Sequence, residues 1–391
     1  MIKKILLFSL LFFFVTHVTV LADGSGGDLT AEYEALQKNF EKKLEKIETR
    51  KQYQKFKKEQ QEMLEALLKK VEEAEADDAV VLLNGNILLD LKKPDAALEK
   101  FEALIKKNSP MSAEAAFGKV CILIDKEKGD EALSLFQAIK DKKKKDSNYY
   151  RVIHEFAHIA KDVDTRINFS NEFIRTAPDS PEFTAFRGYL YENLAAIEKD
   201  KGNIQGAKDI LEKAIKQITA EKSKKSLQSV LNQLKMINKP APELNAGQWV
   251  NSDILKLADL KGKVVAIDFW APWCGPCRRT IPFLVKTYNQ LKDKGFVVIG
   301  FTRLYGRYSD DTQNKGKVGA EEEITLIKDF LKRNAISYPV AIANERTIFD
   351  TYWVSGIPTL VLIDKEGNIR DILVGIGDEG QLETKIKDLL K

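Results

Sequence analysis

The chain changes its hydrophobic period at Lys239-Pro240-Ala241-Pro242, and that change limits what each side of it can fold into. Neither proline can continue a helix, because each lacks the backbone N–H and its ring clashes with the preceding turn. Ahead of them, from Leu29 to Leu234, apolar residues recur at three and four positions among Lys, Glu and Ala, the pattern of amphipathic helices. Beyond them, β-branched runs (Val264 to Phe269, Phe296 to Phe301, Leu360 to Ile363, Ile369 to Val374) alternate with helical stretches reaching about Asp293, Glu322 to Asn334 and Gln381 to Leu390. Alternating strands and helices predict an α/β sheet domain. The expected fold class is therefore multidomain, an all-α N-terminal region followed by a C-terminal α/β domain. The expected boundaries are a leader at 1–22, an amphipathic segment at 23–76, a helical repeat domain at 77–235, a linker at 236–249 and the α/β domain at 250–391.

The stretch Leu29 to Ala76 contains no Gly or Pro. Tyr33, Leu36, Phe40, Leu44 and Ile47, then Met63, Leu67 and Val71, give one long amphipathic helix or a helical hairpin. Further on, Pro94-Asp95-Ala96-Ala97-Leu98-Glu99-Lys100-Phe101 is echoed by Gly129-Asp130-Glu131-Ala132-Leu133-Ser134-Leu135-Phe136, 35 residues later. Pro110 and Pro178 lie 68 residues apart, two such periods, and Gly202-Asn203-Ile204-Gln205-Gly206-Ala207 suggests a later unit. The spacing and the Ala, Phe, Pro order resemble tetratricopeptide repeats, helix pairs that stack into a solenoid. The resemblance is degenerate. It implies a concave docking surface for a partner; a spacer or an arm joining protomers into a homo-oligomer is the competing reading.

Lys3 and Lys4, the apolar run Ile5 to Val15 and Val20-Leu21-Ala22 read as a secretory signal with a small-residue cleavage site. The alternative is an uncleaved anchor, though Ile5 to Leu21 is shorter than the roughly 20 residues a spanning helix needs. The formal charge is +4, which gives no basis for nucleic-acid binding. Of the three cysteines, Cys274 and Cys277 are a pair and Cys121 falls in an apolar helix, as a small buried hydrophobe does. A lone C-x-x-C with no histidine after it leaves zinc short of ligands, so no metal is expected.

Trp273-Cys274-Gly275-Pro276-Cys277 stands between an apolar strand and a predicted helix, where a helix N-terminus lowers the first thiol's pKa. Asp268 lies six residues before Cys274, followed by Phe269-Trp270-Ala271; Pro282 lies five after Cys277; Gly356-Ile357-Pro358-Thr359 precedes the run Leu360 to Ile363. In order and spacing these features resemble the thioredoxin superfamily, in its TlpA/ResA-like extracytoplasmic branch, from about Pro240 to the end. The resemblance implies that Cys274 is the nucleophile, that Cys277 resolves the mixed disulfide, and that Asp268 exchanges a proton with Cys277. A polar residue merely satisfied by hydrogen bonds is the other reading of Asp268. Trp273, Gly275, Pro276, Ile357 and a cis Pro358 are expected to shape the substrate-binding surface, and Trp270 to belong to the core. Dithiol–disulfide exchange needs no bound cofactor. The expected clients are disulfide-containing proteins, and the resemblance implies an electron donor at the membrane. Gly275-Pro276 is thioredoxin's own pair, which suggests a reducing site near roughly −270 mV. Between Phe301 and Pro339, Thr302 to Gly319 plus a helix form an extra stretch that small thioredoxins lack; Arg303, Tyr305, Arg307 and Tyr308 there read as a solvated loop or as part of a substrate surface.

One motif competes. His154-Glu155-Phe156-Ala157-His158 spells H-E-x-x-H, two histidines one turn apart with a glutamate able to activate a zinc-bound water. A helical wheel sets Tyr149, Val152, Ile153, Phe156, Ile159, Ala160 and Val163 on the apolar arc and both histidines opposite, toward solvent, with only Glu172 or Glu182 as a third ligand. This argues against a zinc-dependent hydrolase. A peroxidase is disfavoured because Trp273 to Cys277 is not a peroxidatic loop. A non-catalytic adaptor is disfavoured by the intact cysteine pair with Pro276 and Pro358.

Overall fold

The computed structural model describes residues 25–375 and 379–391, so the leader read at 1–22 lies outside the described residues. The described residues form two compact units that divide after Leu190.

The first unit is helical: α1 (Ser25–Glu45), α2 (Arg50–Glu73), α3 (Asp78–Asp90), α4 (Pro94–Lys106), α5 (Ser112–Asp125), α6 (Gly129–Ile139), α7 (Ser147–Ile159) and α8 (Val163–Thr176). The Gly-free opening stretch is a hairpin rather than one helix. Thr49 ends its continuity with a capping box: its hydroxyl accepts from Gln52 N at 3.2 Å and its own N–H donates to Gln52 Oε1 at 2.9 Å. Ion pairs Glu32–Lys70 at 2.7 Å and Lys43–Glu59 at 3.3 Å mark α1 and α2 as antiparallel.

The 35-residue repeat has a structural counterpart. Lys92 and Glu127, which end α3 and α5, are both left-handed, with φ of 60° and 59°. The next N–H bonds back across each helix end, Lys93 to Leu88 O and Lys128 to Leu123 O, at 2.9 Å in both. Ala97 and Ala132 are buried, as are Phe101 and Phe136. The Phe101 ring lies against the backbones of Gly85 and Gly118, where an added Cβ would sit 2.5 Å from ring carbons. Gly118→Ala is therefore expected to overpack this joint and destabilise the unit by about 1–3 kcal/mol, read as a lower urea midpoint for helical circular dichroism. An unchanged midpoint would mean that the ring has room to move.

The helix α9 (Pro181–Asp200) carries the division between the units. The second unit contains α10 (Ile204–Gln217), α11 (Glu221–Met236), β1 (Gln248–Val250), β2 (Val264–Phe269), α12 (Gly275–Leu291), β3 (Phe296–Arg303), β4 (Arg307–Ser309), β5 (Asn314–Lys317), α13 (Ala320–Arg333), β6 (Val340–Ala343), α14 (Thr347–Thr351), β7 (Thr359–Ile363), β8 (Ile369–Val374) and α15 (Glu379–Leu390). The proline-interrupted segment lies against β8 rather than hanging free: Asn238 N donates to Ile369 O at 2.7 Å, Ile369 N to Lys239 O at 2.9 Å, and Ala241 N to Gly367 O at 2.9 Å.

Six strands form one sheet in the order β1-β6-β3-β2-β7-β8. The strand β2 runs parallel to β3 and antiparallel to β7, which makes it central and buried along its whole length. That explains its unbroken apolar run, since helices cover both faces. Successive side chains alternate between faces. Val265, Ile267 and Phe269 pack with α14 and β8 residues on one side. Val264 and Ala266 pack on the other with Cys274, Cys277, Ile281 and Leu284. By that alternation Asp268 faces the cysteine side.

Candidate active site

The turn after β2 delivers Cys274 as the N-cap of α12, with Pro276 in the first helical turn. Proline's fixed φ suits that position and its missing N–H has no partner to lose there. Cys274 and Cys277 are joined by a disulfide, their Cα atoms 5.2 Å apart. Cys274 is 4% exposed and Cys277 is fully buried. The Cys277 N–H points at Cys274 Sγ, 3.1 Å away. Pro282 stands inside α12, and Arg278 Nη1 donates to Pro272 O at 2.7 Å, bracing the turn from below.

The loop before β7 faces this turn. Its Ile357-Pro358 bond is cis, and Ile357 O lies 3.7 Å from Cys274 Sγ. Gly375 N holds Pro358 O at 2.8 Å and Thr359 Oγ1 holds Gly356 O at 2.8 Å. Trp273 is half-buried beside the pair, and its ring meets Tyr305 edge-on at 5.2 Å. Trp270 is core, stacked on Phe330 at 5.4 Å.

Asp268 is buried, and its Oδ2 has no hydrogen-bond partner among the described residues. Burial pushes its pKa up to about 7, since desolvation penalises the ionised form. A cavity of about 250 Å³ reaches it, lined also by Thr280, Leu284, Pro358 and Lys385.

The H-E-x-x-H pair is not where the helical wheel sets it. His154 stacks on Phe186 at 4.1 Å and His158 packs on Tyr189 at 4.6 Å, so α9 covers the face expected to meet solvent. Conversely Ile159, expected in the apolar arc, is exposed. The two Nε2 atoms lie 3.2 Å apart, and burial lowers the pKa of His158 to about 4. Glu172 is engaged by Tyr149 and Lys145, and Glu182 by Arg151. Among the described residues no group of three or more His, Cys, Asp or Glu is placed to hold a metal. Cys121 is buried in α5, where burial raises its thiol pKa.

Two features escaped the sequence reading. Glu323, 2% exposed, accepts the N–H groups of Tyr305 and Gly306 at 2.8 Å each and so fixes the insertion against the site. Lys199 from α9 and Lys385 from α15 both bind Asp371, at 2.7 and 2.6 Å, beside that cavity.

A buried disulfide at the start of a helix, packed beneath a mixed sheet and opposed by a cis-proline loop, places the domain among thioredoxin-fold thiol–disulfide oxidoreductases. Residues 237–372 match the model of the AhpC/TSA family. Thiol-disulfide oxidoreductase ResA of Bacillus anthracis is 32% identical over 135 residues, 34% of this chain and 68% of the relative. Protein DipZ of Mycobacterium tuberculosis is 35% identical over 161 residues, 38% of this chain and 20% of the relative. A solved thioredoxin-family thiol:disulfide interchange protein from Chlorobium tepidum aligns at 29% identity over 39% of this chain and 96% of its own, with a TM-score of 0.32. Through its C-terminal domain the chain belongs to the ResA-like thiol–disulfide oxidoreductases of the thioredoxin superfamily.

Proposed function

We propose that the protein is an extracytoplasmic reductase of protein disulfides, with Cys274 as nucleophile and Cys277 as resolving thiol. The observation that carries this reading is the position of Cys274. As N-cap it has an amide N–H 3.1 Å from its sulfur and the positive end of α12 behind it, both of which favour a thiolate. The thiolate attacks one sulfur of a client disulfide, forming a Cys274–client bond and releasing one client thiolate. Cys277 then attacks Cys274 Sγ, which releases the second client thiolate and closes the Cys274–Cys277 bond. Two electrons pass to the client, and each released thiolate takes up a proton. Asp268 accepts the proton of Cys277, a task that suits a carboxylate with a pKa near the working pH.

Trp273, Gly275 and Pro276 form one wall of the client groove, with Ile357 and Pro358 as the other. The backbone at Ile357 offers an extended client segment a place to pair beside the disulfide. Secretion rests on the basic and apolar leader, and an electron donor at the membrane would return the pair to the dithiol. The helical half, on this reading, is a tetratricopeptide-like docking domain, supported by the equivalent positions of Ala97 and Ala132 and of Phe101 and Phe136. Joining protomers is its other use.

Equilibration of the pair against dithiothreitol or glutathione buffers tests the direction. A reductase is expected to sit near thioredoxin's roughly −270 mV, whereas a value near about −120 mV, that of a strong oxidant, would overturn the reductase reading.

A further inference from the structure

Arg303 at the end of β3 and Arg307 in the insertion that follows bring positive charge to the side of Trp273. The Arg307 guanidinium lies 5.6 Å from the Trp273 ring centroid, and that of Arg303 lies 4.1 Å from the Tyr305 centroid. Tyr305 in turn abuts Trp273, so the cations and rings form one continuous rim next to Cys274. The rim is held in place, because buried Glu323 anchors the Tyr305 and Gly306 amides.

Two of the nearby carboxylates are already committed. Glu323 is spent on backbone amides, while Asp310 is taken by Arg333 at 2.6 Å and by the Tyr308 hydroxyl at 2.6 Å. Arg307 stands directly across the β4–β5 ladder from Lys317, a like-charge pairing that costs stability unless an anion joins it. Arg303 Nη1 donates to Leu304 O at 3.1 Å, its Nε is buried with no hydrogen-bond partner among the described residues, and among those residues none of Arg303, Arg307 and Lys317 forms an ion pair. A cationic rim left open beside a reactive disulfide is complementary to an anionic partner that itself carries a disulfide.

We propose that Arg307, with Arg303 and Lys317, selects client polypeptides that bear aspartate or glutamate beside the reactive cysteine. The proposal rests on the disulfide-exchange reading and names the substrate class for that site. The client carboxylate pairs with Arg307 while its backbone lies across Trp273, which orients the client sulfur toward Cys274.

The test uses the reduced full chain and short peptides whose single cysteine is held as a mixed disulfide with 2-mercaptoethanol, flanked by Asp, Gln or Lys. Each rate is divided by the rate of dithiothreitol with the same peptide, which removes the intrinsic effect of neighbouring charge on the sulfur. The expected order is Asp above Gln above Lys, with Asp ahead of Lys by about tenfold or more at low salt and the gap closing as salt is added. Arg307→Gln should flatten the order and Arg307→Glu should invert it. Equal normalised rates for Asp and Lys peptides, or an Asp preference intact in Arg307→Glu, would overturn the selection while leaving disulfide exchange standing. If none of the peptides reacts, exchange itself fails and the selection with it.

Discussion

Cys274→Ser is expected to abolish disulfide exchange, lowering the rate on a protein disulfide by at least about 10⁴-fold, because a serine hydroxyl is almost wholly protonated at neutral pH and cannot replace a thiolate. The loss comes from chemistry rather than folding. Cys274 sits at a turn already set by Pro276 and by the bond from Arg278 to Pro272 O, and serine is itself a favoured N-cap. Helical and sheet content should therefore be preserved, as circular dichroism would report. Cys277→Ser should behave differently: the first attack survives, and turnover stops at the mixed disulfide. The asymmetry follows from burial, since Cys277 is sealed beneath Cys274 and no client sulfur reaches it. Comparable activity of Cys274→Ser and wild type would remove the thiol mechanism.

Asp268→Asn is expected to stabilise the protein and slow it at the same time. The folded pKa is about 7, against an ordinary value of 3.8. Between those values the folded state keeps a proton that the unfolded state has lost, so wild-type stability falls as pH rises from 3.8 to 7 and is level above. Below 3.8 both states are protonated and the difference vanishes. Asparagine does not titrate, so the two proteins should melt alike near pH 4 and diverge toward pH 8. There the variant should be more stable by on the order of 2–4 kcal/mol. Without its base, resolution of the mixed disulfide by Cys277 should slow by about 10²-fold near neutral pH. Identical melting curves at pH 4 and pH 8 would show that Asp268 titrates normally. The opposing effects on stability and rate are those of a residue kept for chemistry at the expense of the fold.

The sequence disclosed the parts of the fold whose side chains answer to one neighbour or to none. β2, β3 and β7 were legible because a strand buried on both faces reads as an apolar run of β-branched residues. β1 and β6 were not: Gln248–Val250 is a three-residue strand at the sheet edge, and Val340–Ala343 is short and half alanine. The β4–β5 hairpin was hidden because Asn314–Lys317 is wholly exposed and shows no alternation. The histidine pair was misplaced for a related reason. A wheel assigns one buried face per helix, whereas α7 is covered on a second side by Phe186 and Tyr189 of α9.

At the site, the Cys274 and Cys277 pair was legible at a strand-to-helix junction, and Asp268 and Pro358 through the resemblance in order and spacing to thioredoxins. Tyr305 and Arg307 could be named but not located. Their meeting with Trp273 depends on Glu323, and a glutamate in the run Glu321-Glu322-Glu323 looks solvated until the loop closes over it. Helix starts favour acidic residues for their own sake, which masks the one carboxylate that does something else.

The central claim is that Cys274 is the atom that meets the client and Cys277 the one that releases it. It is tested most directly by incubating reduced Cys277→Ser with a disulfide-bonded protein, quenching with acid, and mapping the adduct by mass spectrometry of proteolytic fragments. The account predicts a stoichiometric mixed disulfide on Cys274, absent from Cys274→Ser and from wild type, where Cys277 resolves it. An adduct on Cys121, or none at all while wild type still turns over, would contradict it.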